Sequence, residues 1–182
     1  MQNMSLVDEV VGIVAAYYVK ELGMSLNVAM KPICFCVHNP KCSVVGCIPM
    51  TVPDAHNNHL QIHISSIISP GWYPNQLLYQ YSHELWHAYE FSQYGLSYPW
   101  QVFEDRIEPY AYAASLCALS QGMIPERILP RTSQDAYFKA IVASDSKRDM
   151  YAPGASIAKE VGYDLKKLYE QYQQIIAPQI LG

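Results

Sequence analysis

At 182 residues, of which 51% are apolar, the chain is long enough for one domain with a proper core. Its net charge is −4 with no block of like charges, which excludes a general nucleic-acid or polyanion binder. No stretch is apolar and long enough to cross a membrane.

The N-terminus carries Asp8 and Glu9 where a secretory signal would carry positive charge. The apolar run Val10 to Val19 ends in Lys20-Glu21, with no cleavage-site pattern after it. Residues 5–23 therefore read as an amphipathic core helix closed by Gly23, in a cytoplasmic protein. Ile33 to Val37 reads as a strand, Asn39-Pro40 as a turn and Ser43 to Met50 as a second strand, so 32–50 is an expected hairpin. Four of the five cysteines (Cys34, Cys36, Cys42 and Cys47) fall in this stretch, with Cys117 far away. Their odd number and missing export signal argue against a disulfide framework. Without paired C-x-x-C knuckles, buried thiols are expected rather than a structural metal.

Pro53 to Asn58 reads as a loop. Leu60, Ile62 and Ile64 then alternate with His59, Gln61, His63 and Ser65, a strand with one apolar and one polar face. That polar face is expected to pair with an extended peptide and accounts for His56, His59 and His63 better than a minor metal site does. A helix is expected from about 74 to 94, started by Pro74-Asn75 and stopped by Gly95. A helical stretch from 100 to 121, interrupted by Pro109, follows. Next come a helix over 133–143, capped by Thr132 or Ser133, and two short helices over 154–177.

The 74–94 helix carries His83-Glu84-Leu85-Trp86-His87, an H-E-x-x-H motif. Positions i and i+4 share a helix face, so His83 and His87 can present two imidazole nitrogens to one metal ion. Glu84, one step round, can act on a water bound to that metal. The apolar stripe Leu78, Tyr81, Leu85, Ala88 and Tyr89 lies on the opposite face; the alternative is two surface histidines on a solvated helix.

A catalytic zinc needs a third protein ligand. No histidine follows His87, so it must be a carboxylate: Glu90, Glu104, Asp105 or Glu108. Glu90 is on the same helix and reads as a cleft-lining or solvated group. Glu104 and Glu108 are one turn apart on the next helical stretch. Glu108 is favoured because Ala111, Ala114 and Ser115 follow it at helical spacing and permit a close approach of the two helices. Pro109 would then put Glu108 at a helix boundary. Tyr110, Tyr112 and His63 are candidate oxyanion partners.

His83-Glu84-x-x-His87, followed by Glu108-x-x-Ala111 and the small-residue run Ala113-Ala114-Ser115, resembles the ImmA/IrrE-type zinc metallopeptidases. The pattern departs at Pro109, at Tyr112 for a common Asn and at Ala114 for a common Phe. The resemblance implies zinc held by His83, His87 and Glu108, with Glu84 as general base. It also implies a regulatory protein substrate such as a transcriptional repressor. The segment 157–169, with Ala158, Gly162 and Leu168, fits the helix-turn-helix that such proteins often carry. Its mixed charges point instead to a helical hairpin packed on the core, with no nucleic-acid or membrane partner expected.

These readings give an α+β, zincin-like metallopeptidase domain over 1–150, a small sheet plus helices, and a helix-turn-helix-like tail over 151–182. The expected function is zinc-dependent cleavage of a regulatory protein. The alternative is a metal-binding regulatory or interaction module without turnover, which would have no use for Glu84.

Overall fold

The computed structural model describes residues 2–25, 33–35, 50–54, 59–64, 74–94 and 100–181. In chain order these form helix α1 (Gln2–Leu22), strands β1 (Ile33–Phe35), β2 (Met50–Asp54) and β3 (His59–Ile64), and helices α2 (Pro74–Tyr94), α3 (Trp100–Ser120), α4 (Arg131–Asp145), α5 (Ala152–Glu160), α6 (Leu165–Ile175) and α7 (Ala177–Leu181). Among the described residues no helix is long and apolar enough to cross a membrane.

The expected α+β, zincin-like class is corrected by this distribution. The fold is predominantly helical, and its described core is built from helices and the turns that join them. The reason is one of length. Helices α1, α2 and α3 have 21 residues each, about 31 Å of rise. The strands have only three, five and six residues, so helices supply most of the described chain.

The strand order is β1-β3-β2. β1 runs parallel to β3, and β2 pairs antiparallel with β3 from Met50↔His63 to Asp54↔His59. The hairpin expected over 32–50 lies largely outside the described residues; the antiparallel pair they show joins β2 to β3. Pro53, expected in a loop, lies within β2, an edge strand where a missing N–H is tolerated. Residues 36–49, with Cys36, Cys42 and Cys47, lie outside the described residues, as do the side chains of Cys34, His59 and His63 and the whole of His56.

α2 is the centre of the molecule, with α1, α3 and the sheet packed round it. Every residue from Tyr81 to Glu90 is buried, so the motif face is covered as well as the apolar stripe. Tyr18 of α1 donates a hydrogen bond to the Ser82 carbonyl at 2.6 Å. Ser115 of α3 donates to the Tyr79 carbonyl at 2.7 Å. Ala111 and Ala114 are fully buried beside it, as their spacing suggested.

Pro109 does not interrupt α3, which runs unbroken from Trp100 to Ser120 and places Glu108 inside it. The proline forfeits one helical hydrogen bond, to the carbonyl of Asp105, itself an exposed residue. Burial of Ile107, Tyr110, Ala111, Ala113 and Ala114 on either side offsets that loss. α4 begins at Arg131 after Pro130, two residues before the expected start and without a side-chain cap.

α5 and α6 form the helical hairpin expected of the tail. Gly162, at φ +65, donates to the Lys159 carbonyl, and Tyr163 donates to the Ala158 carbonyl, closing α5 by the pattern of a Schellman motif. Asp164 caps α6 by accepting from the Lys167 backbone N–H at 3.0 Å. α6 packs on α1 and α3 and buries Leu165, Leu168 and Tyr172.

Gly154 marks a close crossing of α5 on α3. A Cβ there would lie 2.7 Å from Cβ of Tyr112 and 2.8 Å from the Pro109 carbonyl. Gly154→Ala is expected to destabilise the chain by about 1–3 kcal/mol in denaturant unfolding. Gly12→Ala, with nothing within 4 Å of the added carbon among the described residues, is expected to stabilise it by up to about 1 kcal/mol. Equal effects of the two would contradict this packing.

Candidate metal centre

One helical turn of α2 sets His83 and His87 side by side, with Nε2 atoms 3.2 Å apart. Glu108 reaches across from α3 and spans both: one carboxylate oxygen is 2.6 Å from Nε2 of His87, the other 3.2 Å from Nε2 of His83. The donor atoms of these three residues all lie within 4.8 Å of one another. Of the four carboxylates open as a third partner, Glu108 is the one that spans both imidazoles among the described side chains. Asp105 is exposed, and the side chain of Glu104 lies outside the described residues.

The histidines are only 9% and 8% exposed, which removes the reading of two surface histidines. The side chain of Glu108 is 28% exposed, so the group opens to solvent on the α3 side. Glu84 is buried, with a carboxylate oxygen 3.9 Å from Nε2 of His83. Its side chain borders the three donors without belonging to their set.

Glu90 is neither solvated nor a cleft-lining group. It is 2% exposed and lies behind His87, where it accepts from Nδ1 at 3.1 Å. The spacing i,i+3 after a histidine was the available signal for that contact. Tyr172 of α6 donates to the second oxygen of Glu90 at 2.6 Å, a contact across 82 positions with no local signature.

Tyr112 packs its ring on His83, with centroids 4.5 Å apart. Tyr151 packs on Tyr112 in turn, and the guanidinium of Arg148 sits over Tyr151. Tyr110 turns away, accepting from Gln171 at 3.3 Å and packing on Tyr172. Of the residues expected near the reacting atoms, Tyr112 alone is placed at the cluster among the described side chains. The polar strand face has a different fate. β3 is the central strand, hydrogen-bonded on both edges, so it offers no edge to an extended peptide.

The electrostatics follow from this packing. Burial would lower the pKa of His87, but its hydrogen bonds to Glu108 and Glu90, and their charges, outweigh burial and hold it well above the ordinary value. Burial would raise Glu108, but its hydrogen bonds to the two histidines, and their charges, draw it well below the usual carboxylate range. For Glu90 burial dominates and the pKa is raised.

The donor set fits a zinc ion. Bonds of about 2.0–2.1 Å in a tetrahedron require donors about 3.3 Å apart. The two imidazole Nε2 atoms are 3.2 Å apart, close to that spacing, and with one oxygen of Glu108 the three donors lie within 4.8 Å of one another. Two imidazoles and one carboxylate, with an open side, are also the ligand chemistry of hydrolytic zinc.

No protein-family model matches the chain, and neither a curated protein nor a solved structure matches it. Its functional reading rests on the site.

In the metal-free chain His87 is expected to titrate above about 6.5, the value of a free histidine. A folded pKa above the unfolded one means that its pairing stabilises the fold fully below about 6.5 and is lost as the pH rises through the folded value. Glu108→Ala should move the His87 titration downward in histidine-resolved NMR. A His87 that titrates at or below the free value in the unaltered chain would contradict the arrangement.

Proposed function

We propose that the chain is a zinc-dependent metallo-endopeptidase, with His83, His87 and Glu108 as ligands and Glu84 as general base. The observation that carries this is the convergence of a carboxylate from α3 on both imidazoles of the H-E-x-x-H helix, with Glu84 beside them. A bound zinc would supply Lewis acidity, polarising a scissile carbonyl and lowering the pKa of a water.

The chain's own groups supply the rest. Glu84 is close enough to the donor set to take a proton from an attacking water and return it to the leaving amine. Its burial keeps that carboxylate from competing solvent. The open side at Glu108 gives a peptide its approach, past Tyr112. The resemblance to ImmA/IrrE-type peptidases supports the proposal and is the whole basis for a regulatory protein as substrate.

Zinc titration and proteolysis of an unfolded protein test this together. The unaltered chain should take one zinc, lost in His83→Ala or His87→Ala. Glu108→Ala should weaken zinc at least about a hundred-fold, and Glu104→Ala less than that. Glu84→Gln should keep the metal and lose cleavage by about a hundred- to ten-thousand-fold. Full zinc retention in His83→Ala would overturn the ligand set. Tight zinc with no turnover would leave a metal-binding module in place of a peptidase.

A further inference from the structure

The tail helix α6 reaches the back of the proposed centre through one side chain. Tyr172 is fully buried, and its hydroxyl donates to Glu90 at 2.6 Å. The other oxygen of Glu90 accepts from Nδ1 of His87 at 3.1 Å, while Nε2 of His87 faces Glu108. Both oxygens of a buried carboxylate are therefore engaged, one by the tail and one by a histidine.

We infer that Tyr172 is a positioning residue for His87, acting through the Glu90 carboxylate. The inference rests on the proposed centre and extends it to the tail. A histidine coordinates metal through an unprotonated nitrogen, and which nitrogen that is depends on the hydrogen bond made by the other. Glu90 accepts at Nδ1, so Nδ1 keeps its proton and Nε2 is left to coordinate. Glu90 can do so only while its carboxylate is fixed in place. A buried carboxylate needs a donor on its second oxygen, and Tyr172 is that donor.

The tyrosine is itself held from turning. Its ring meets Trp86 and Tyr110 edge-on, with centroids at 5.6 and 5.4 Å, and stacks beside Tyr169. The two histidines differ in this respect. Nδ1 of His83 is buried with no hydrogen-bond partner among the described residues. Support from behind is thus concentrated on His87, and loss of the Tyr172 hydroxyl should be felt there.

The test is zinc affinity by calorimetry, with the imidazole N–H resonances of the zinc-loaded chain as a second readout. Tyr172→Phe keeps the ring and removes one hydroxyl. It should weaken zinc about ten-fold and broaden or shift the Nδ1–H signal of His87 while leaving that of His83 in place. Glu90→Gln keeps an acceptor oxygen but no charge, and should weaken zinc about ten- to a hundred-fold. Tyr110→Phe removes a hydroxyl from the same aromatic cluster without touching Glu90, and should change neither readout. An unaltered chain that binds zinc, with Tyr172→Phe and Glu90→Gln within two-fold of it, would overturn the inference and leave the centre standing. Equal losses in Tyr172→Phe and Tyr110→Phe would also overturn it, as general packing damage. An unaltered chain that binds no zinc would overturn the centre and the inference with it.

Discussion

The contact between Glu108 and the paired histidines is the constraint on which the rest of the structure depends. Two imidazoles buried 3.2 Å apart on one helix turn need a partner that accepts from both, and a carboxylate with its two oxygens spread between them does so. To deliver it, α3 must lie close against α2. Ala111, Ala114 and Ser115 at the crossing provide that closeness, and the Ser115 hydroxyl ties the two backbones together. α5 then closes on α3 through Gly154, which leaves room for Tyr112 beside His83. α6 reaches α2 from behind through Tyr172. The helices are arranged round a polar group that none of them could bury alone.

Much of this was legible in the sequence because the relevant signals are local. Pro74-Asn75 marks the start of a helix described from Pro74 to Tyr94, and the H-E-x-x-H spacing puts both imidazoles on one side of it. Small residues after Glu108 pointed to a close crossing, and Glu108 spans both histidines. Gly23 closes α1, its N–H on the Val19 carbonyl. The tail reads as a helical hairpin and packs as one.

The failures share a physical cause: they concern partners distant in sequence. Alternation in 60–64 marks a strand but not its neighbours, and so could not tell that β3 would be central, with β1 parallel on one edge. Short alternating runs suggested a sheet-based class, where helices make up most of the described residues. Pro109 was read as a break on intrinsic grounds, and tertiary burial on both sides of it overrode that preference. Glu90 looked solvated because nothing near it announces Tyr172, 82 positions on.

X-ray absorption at the zinc edge of the zinc-loaded chain reads directly which atoms hold the metal. A first shell of nitrogen and oxygen alone at about 2.0–2.1 Å is expected, with the outer-shell scattering of two imidazole rings. Sulfur at about 2.3 Å would place the metal on the cysteines instead. That result would contradict a centre built from His83, His87 and Glu108.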